Sequence, residues 1–182
     1  MQETEIHSKL IKECIAGKRD ALKEFYKLFH GYAMSICLRY AESRDDAVEM
    51  MNDGFLKAFT YLKKFDMERP IKPWIRKIMI NCALDHLKKY ESKMEERYID
   101  EQIRELISET DPGAVSYEDI LDMVRLLPMS YRTVFNLYAI EGYKHEEIAS
   151  MLGITSGTSK SHYFKAKQRL QELLAIHFDT RK

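Results

Sequence analysis

Residues 144–170, KHEEIASMLGITSGTSKSHYFKAKQRL, carry the pattern that decides the fold of this chain. Apolar residues recur at three- and four-residue spacing on both sides of Gly153, which predicts two amphipathic helices joined by a tight turn. Such pairs are helix-turn-helix candidates, although many of them only pack inside helical proteins. From Lys144 to Lys182 the chain holds seven Lys or Arg and four Asp or Glu residues. This local positive charge favours DNA binding over plain packing.

The second predicted helix of this pair has two contrasting faces, and the hydroxyl of Thr155 can cap its start. On a helical wheel, small and apolar side chains share the side that should pack against the first helix. These are Ser159, Tyr163, Ala166, Leu170 and Leu173. The opposite side holds Gly157, Lys160, Ser161, Phe164, Lys165 and Gln168. An exposed Phe between lysines suits a thymine methyl or a sugar face, and Thr158 can bond a phosphate at the helix start.

The composition predicts a water-soluble, cytoplasmic protein that is helical throughout. The 182 residues carry no net charge and 45% of them are hydrophobic, while only 7 are Gly and 4 are Pro. No apolar run is long enough to span a bilayer, and the start, MQETEIHSKL, lacks the apolar core of a signal peptide. The three Cys residues are odd in number and far apart, which argues against a disulfide framework or a Cys-x-x-Cys zinc site.

A change in composition divides the chain into two parts. Residues 91–117 hold eight acidic and three basic side chains and contain Asp-Pro-Gly, which is a turn signal. We therefore expect an all-α fold in which residues 1–94 and 118–182 form two small helical domains. An acidic linker at 95–117, with a short helix at 98–107, would join them.

The predicted helix from Trp74 to Tyr90 presents an aromatic residue followed by a polar and basic stripe. Its inward side should hold Ile75, Ile78, Met79, Cys82 and His86. Its outward side carries Trp74, Lys77, Asn81, Asp85 and Lys88, with Arg76 nearer the core. An indole can stack on an unpaired base while lysines track the backbone, so this face suits single-stranded DNA. The alternative is that Trp74 is a structural residue and the lysines are merely solvated.

Residues 44–62 predict another amphipathic helix, and its polar side is acidic. Asp45 lies at the helix start, where the helix dipole favours negative charge. Asp46, Glu49, Asn52 and Asp53 stand together opposite an apolar stripe that begins at Val48. This cluster is either a docking face for a basic partner or a solvated surface.

Three blocks of the sequence, in order, resemble the sigma-70 family of RNA polymerase sigma factors, and within it the compact extracytoplasmic-function (ECF) group. They are DDAVEMMNDGFLKAF (45–59), PWIRKIMINCALDHLKK (73–89) and LPMSYRTVFNLYAIEGYKHEEIASMLGITSGTSKS (127–161). The resemblance extends over residues 10–175, and the order and spacing of the three blocks make it more specific than any block alone.

The resemblance implies a transcription initiation factor that binds core RNA polymerase, directs it to promoters through −10 and −35 elements, and promotes strand opening. The first domain would dock on the β′ clamp helices through Asp46, Glu49, Met50, Asn52 and Asp53. The same domain would bind −10 DNA through Phe65, Lys72, Trp74, Arg76, Lys77, Asn81 and Lys88. The second domain would read the −35 element through Thr158, Lys160, Ser161, His162, Phe164 and Lys165.

The resemblance also implies the remaining partners. Residues 127–138 would meet the β flap of the polymerase, promoter DNA would be the nucleic-acid partner, and an anti-sigma factor would hold the protein inactive. It implies no metal, no cofactor and no insertion into a membrane.

The sequence departs from the family pattern at four positions. Ser159 stands where the family usually has Val, and we expect its hydroxyl to bond a backbone carbonyl one turn back. His162 stands where Arg is common, which affects the −35 sequence that is read. Val48 replaces a common acidic residue and Asn52 a common Gln, and both changes would weaken or retune binding to core polymerase.

Two other classes of function are weighed against this one. A stand-alone helix-turn-helix regulator would bind duplex DNA without polymerase, but it would usually need a dimer and would leave the Trp74 face unexplained. An enzyme is disfavoured, since HEEIA at His145 lacks the second His of a zinc-protease motif and no glycine-rich phosphate loop or nucleophile elbow is present. Asp45, Asp46 and Asp53 together suggest a metal site only weakly, because helix-dipole stabilisation explains the first two.

Overall fold

The computed structural model describes residues 2–91 and 117–179, with side chains described at 8–89 and 119–177. Every regular element within these ranges is helical, so the predicted all-α class is confirmed. The chain forms two compact units, Met1–Lys93 and Met94–Lys182. Residues 95–116 of the predicted linker, including its predicted helix at 98–107, lie outside the described residues.

The first unit contains four helices and a short 3₁₀ turn. They are α1 (Gln2–Ile15), α2 (Arg19–Cys37), α3 (Arg44–Tyr61), the 3₁₀ turn Leu62–Lys64 and α4 (Ile71–Glu91). Helix α2 contacts α1, α3 and α4, and α3 contacts α4. Aromatic rings of α2 and α3 meet in the core, where the centroids of Phe25 and Phe59 are 5.6 Å apart.

Helix α3 begins at a capping box. Ser43 precedes the helix, and its backbone N–H donates to Asp46 Oδ2 at 3.0 Å. The backbone N–H of Asp46 donates in return to Ser43 Oγ at 3.1 Å. These bonds satisfy donors that a helix start leaves without partners. Asp46 therefore caps the start of α3. This structural role is additional to the dipole stabilisation and the docking that its sequence position predicts.

Helix α4 begins earlier than the sequence analysis predicted. It starts at Ile71 instead of near Trp74, and Pro73 occupies its first turn. A proline is tolerated there because the first N–H groups of a helix have no carbonyl partner within it. The buried side of α4 is also wider than predicted, since it includes Ile80, Ala83, Leu84 and Leu87.

At Gly54, helix α3 packs tightly against the side chain of Met79 on α4. A Cβ atom added at Gly54 would overlap Sδ of Met79, which is fully buried on α4. We expect Gly54→Ala to lower the free energy of unfolding by about 1–3 kcal/mol, because a well-packed core resists added volume. Urea denaturation of the full chain measures this.

Gly31→Ala is the matched control for this substitution. Gly31 is an exposed glycine inside α2, and a Cβ there meets nothing within 4 Å. Since alanine favours helix more than glycine does, this control should stabilise the protein by up to about 1 kcal/mol. A Gly54→Ala protein as stable as the wild type would mean that Met79 moves aside without cost.

The second unit contains the helix-turn-helix. Its elements are α5 (Tyr117–Arg125), α6 (Met129–Phe135), a π-helical segment (Asn136–Ile140), α7 (His145–Leu152) and α8 (Ser156–Asp179). Gly153 ends α7 with φ of 70°, a left-handed conformation that glycine adopts without steric cost. The backbone N–H of Thr158 donates to Thr155 Oγ1 at 3.0 Å, which confirms the predicted cap of α8.

The described residues also bear on membrane-spanning helices and on the three cysteines. None of their helices is long and apolar enough to cross a membrane. Cys14, Cys37 and Cys82 are buried and form no disulfide, and burial raises the pKa of the Cys37 thiol to about 12. A thiol with so high a pKa stays protonated and packs as a small apolar group.

Candidate nucleic-acid and protein interfaces

Helix α8 has the two faces that its sequence predicts. On the inner face, Ser159 and Ala166 are fully buried and Leu173 is nearly so. On the outer face Phe164 is 57% exposed. Large aromatic side chains are usually mostly buried, so this exposure is unusual. The other outward positions are also exposed, and they are Gly157, Lys160, Ser161, Lys165 and Gln168. An apolar ring flanked by ammonium groups is therefore available to a groove of duplex DNA.

His162 and Thr158 lie at the border of this outer face. The His162 ring is half-buried, 5.2 Å from the ring of Tyr131 on α6, and the Lys165 ammonium lies 5.7 Å from the same tyrosine ring. Burial, and secondarily the charge of Lys165, lower the pKa of His162. Both effects disfavour the charged form of the imidazole. Thr158 Oγ1 is bonded to Thr155 Oγ1 at 2.8 Å.

The buried hydroxyl of Ser159 has a different partner from the one expected. Ser159 Oγ lies 2.9 Å from Nδ1 of His145, the first residue of α7. The carbonyl of Thr155, one turn back, accepts the backbone N–H of Ser159 at 3.0 Å instead. The expectation of a carbonyl partner for the hydroxyl was therefore wrong, because the hydroxyl pairs with a side chain of another helix.

The outward face of α4 is basic and partly aromatic. Lys72, Lys77, Asn81 and Lys88 are exposed, while Trp74 and Arg76 are half-buried. Asp85 on the same face pairs with Lys57 of α3, whose Nζ is 2.8 Å from Asp85 Oδ2. This hydrogen bond raises the pKa of Lys57. The pair ties α3 to α4 beside the polar stripe.

Phe65 is not part of the exposed stripe. Its side chain is only 8% exposed, and its ring centroid lies 5.1 Å from that of Trp74. The Phe65 ring therefore lies in the core beside Trp74, and its contact with DNA stays a prediction. The structural alternative for Trp74 holds in part, since one side of its indole covers Phe65 and the rest remains accessible.

A second aromatic and basic group lies just before Phe65 in the chain, and the sequence analysis did not single it out. Tyr61 is 49% exposed, and the Lys64 ammonium is 6.0 Å from the centroid of its ring. Lys63 is exposed beside them. The signal was present in the sequence as TYLKKF, but without the structure Tyr61 could equally belong to the core stripe of α3.

The acidic face of α3 is exposed and braced from both neighbouring helices. Glu49 and Asn52 are exposed and Asp53 is partly exposed. The hydroxyl of Tyr26 on α2 donates to Asn52 Oδ1 at 3.4 Å. From α4, Nε2 of the buried His86 lies 3.7 Å from both Glu49 Oε1 and Asp53 Oδ2. His86 is thus a core histidine, as predicted, and its ring edge meets two carboxylates.

Met50 does not belong to this acidic face. It is 2% exposed and lies among the core residues Ala47, Met51 and Gly54. The Met50 side chain faces the core because one residue along a helix turns it by about 100° away from Glu49, and its docking role stays a prediction. Among the described residues, no group of three or more His, Cys, Asp or Glu side chains could hold a metal ion.

Comparisons with known proteins agree on both units. Residues 25–93 match the family described as Sigma-70 region 2, and residues 117–170 match the family described as Sigma-70, region 4. The chain is 26% identical over 166 residues to RNA polymerase sigma factor SigV of Bacillus subtilis (strain 168), covering 91% of this chain and 92% of that protein. It is 24% identical over 181 residues to ECF RNA polymerase sigma factor SigW of the same strain, covering 91% and 95%.

A solved structure with a similar fold is the sigma factor RpoE from Bartonella quintana, crystallised in complex with the anti-sigma factor NepR. The TM-score is 0.53 at 23% sequence identity, and the match covers 85% of this chain and 96% of that chain. At this level of identity the similarity establishes the fold alone.

Proposed function

Because this chain belongs to the sigma-70 family, as a sigma factor of the ECF group with a role in transcription initiation, we propose that it directs core RNA polymerase to promoters through −10 and −35 elements and promotes strand opening. The observation that carries the proposal is the outer face of α8, where Phe164 is exposed between lysines on the second helix of a helix-turn-helix. The polymerase carries out the chemistry, and this chain positions and opens the DNA.

The acidic face of α3 is the proposed docking surface for the β′ clamp helices. Its exposed members are Glu49, Asn52 and Asp53, with Asp46 at the edge. Met50 is not included because it is buried. Tyr26 and His86 hold these side chains from both flanks. Complementary charge speeds encounter with a basic partner and fixes the register of the complex.

The outward stripe of α4 is the proposed −10 surface. The accessible part of Trp74 would stack on a base, and Lys72, Lys77, Asn81 and Lys88 would contact the backbone or a base edge. Arg76 would reach the DNA along its stem, and Tyr61 with Lys64 is added here as a further contact. Trapping an unstacked base offsets a few kcal/mol of the cost of opening.

The outer face of α8 is the proposed −35 surface. Lys160, Ser161, Phe164 and Lys165 would enter the major groove, while Thr158 and His162 would lie at its border. Residues around Leu127–Tyr138 would meet the β flap. An anti-sigma factor is a further proposed partner, since the similar RpoE structure contains one.

A basic contact to phosphate has a measurable salt signature. We expect Lys165→Ala to weaken promoter binding by the polymerase holoenzyme and to reduce the slope of log K against log salt by about 1, because one fewer phosphate charge is neutralised. Lys23→Ala, at an exposed lysine of α2, is the control and should leave the slope unchanged. Binding titrations at several salt concentrations measure both. An unchanged slope for Lys165→Ala would remove this side chain from the phosphate contacts.

Transcription with purified components tests the function as a whole. Core RNA polymerase would transcribe sheared genomic DNA with and without this chain, and the 5′ ends of the transcripts would be sequenced. We expect new start sites that share two upstream elements. No new starts, in a reaction where another sigma factor activates the same core, would refute the proposal. Tight sequence-specific binding by this chain without polymerase would instead favour a stand-alone regulator.

A further inference from the structure

One imidazole connects three elements of the helix-turn-helix. His145 begins α7, and its Nδ1 lies 2.9 Å from the hydroxyl of Ser159 on α8. The ring of Tyr138, on the π-helical segment after α6, stacks on the His145 ring with centroids 4.3 Å apart and planes 15° apart. Tyr163 of α8 closes the group, 4.6 Å from Tyr138 and 6.0 Å from His145.

The hydrogen bond between His145 and Ser159 is buried at its Ser159 end. Ser159 has no exposed surface, so its hydroxyl has no water to replace a lost partner. An unmet hydroxyl in such a place is costly, which makes the pairing with His145 directional and obligatory. The usual apolar residue at this position would pack against the same helix without fixing an angle, because apolar contact is non-directional.

We propose that His145 and Ser159 form a positioning pair that sets the orientation of α8 and thereby the −35 sequence that the protein reads. The inference rests on the proposed function, since it assumes that the outer face of α8 reads DNA. Ser159 immediately precedes Lys160 in the chain and lies about one and a half turns before Phe164. A small rotation or slide of α8 at Ser159 therefore moves both side chains relative to the base edges. In this proposal the pair acts on the reading side chains through α8, and not through DNA contacts of its own.

A pair of nearly equal-volume substitutions isolates the hydroxyl. Ser159→Thr keeps the hydroxyl, and Ser159→Val replaces it by a methyl group, so both introduce the same extra volume into the core. Ser159→Ala removes the hydroxyl without adding volume. It replaces Ser159→Val in the assay if the variants with larger side chains do not fold. His145→Phe keeps a ring against Tyr138 but has no nitrogen for Ser159.

The assay uses the full chain assembled with core polymerase. Promoter binding is measured on the preferred −35 element and on single-base substitutions of it. We expect Ser159→Thr to prefer the −35 element over its single-base substitutions as strongly as the wild type does. For Ser159→Val this preference should fall roughly tenfold, a size typical of one mismatched base pair. The double variant His145→Phe with Ser159→Val should lose no more than either single variant, since both remove the same bond.

Three outcomes separate the inference from the function on which it rests. Equal discrimination by Ser159→Thr and Ser159→Val would overturn the positioning role alone, as would losses that add in the double variant. A wild-type holoenzyme with no −35 preference would overturn both the −35 reading and the positioning role. Nitrogen NMR of His145 in the free chain gives a readout without DNA: the Nδ1 signal should shift in Ser159→Val and remain in Ser159→Thr.

Discussion

Replacing Asp53 by Arg is expected to weaken binding of core RNA polymerase by at least about a hundredfold. Like charges placed across an interface cost several kcal/mol, and each 1.4 kcal/mol is a factor of ten in affinity. The reversed charge would also lie beside His86, which now faces the carboxylates of Glu49 and Asp53. The acidic face of α3 would thus lose one of its carboxylates and one of its two contacts with His86.

Glu24→Arg is the matched control for this charge reversal. Glu24 is exposed on α2, and its change in net charge is identical to that of Asp53→Arg. Competition between each variant and the wild type for a limiting amount of core polymerase measures the affinity, with thermal unfolding to verify the fold. If Asp53→Arg competed as well as Glu24→Arg, the acidic face would be an ordinary solvated surface.

Replacing Trp74 by Leu is expected to slow promoter opening by roughly tenfold to a hundredfold while leaving the closed complex intact, since stacking of one base on an aromatic ring is worth about 1–3 kcal/mol. Leucine is chosen because Trp74 also covers the ring of Phe65, 5.1 Å away, and an alanine would uncover the core. Trp74→Tyr keeps an aromatic face and should open promoters at nearly the wild-type rate.

Reactivity of unpaired thymines to permanganate follows the opening step, and band shifts at low temperature follow the closed complex. A template with a pre-opened bubble should restore initiation by Trp74→Leu, because the trapped base is then already unstacked. Equal losses in closed binding and opening would assign Trp74 a structural role only. Normal opening by Trp74→Leu would show that covering Phe65 is its whole contribution.

The structural features that the sequence predicted correctly are those set by a single helix. The outer and inner faces of α8 follow from the helical period, and the turn at Gly153 and the cap at Thr155 follow from neighbours a few residues away. The burial of Met50 and of Phe65, which the sequence did not indicate, depends on neighbouring elements. Helix α3 contacts both α2 and α4, so its buried arc is wide and includes Met50. Phe65 lies outside regular helix, where no period indicates which way a side chain points.

By itself the sequence determined the helical class, the division into a basic helix-turn-helix part and an acidic-faced part, and the family, because each of these rests on local period, composition or ordered motifs. Tertiary structure alone decided which side chains meet across helices. His145 reaches Ser159 fourteen residues away, and His86 reaches Asp53 from another helix. Such pairings depend on the distance and rotation between packed helices, which the packing of the whole core sets and no local pattern encodes.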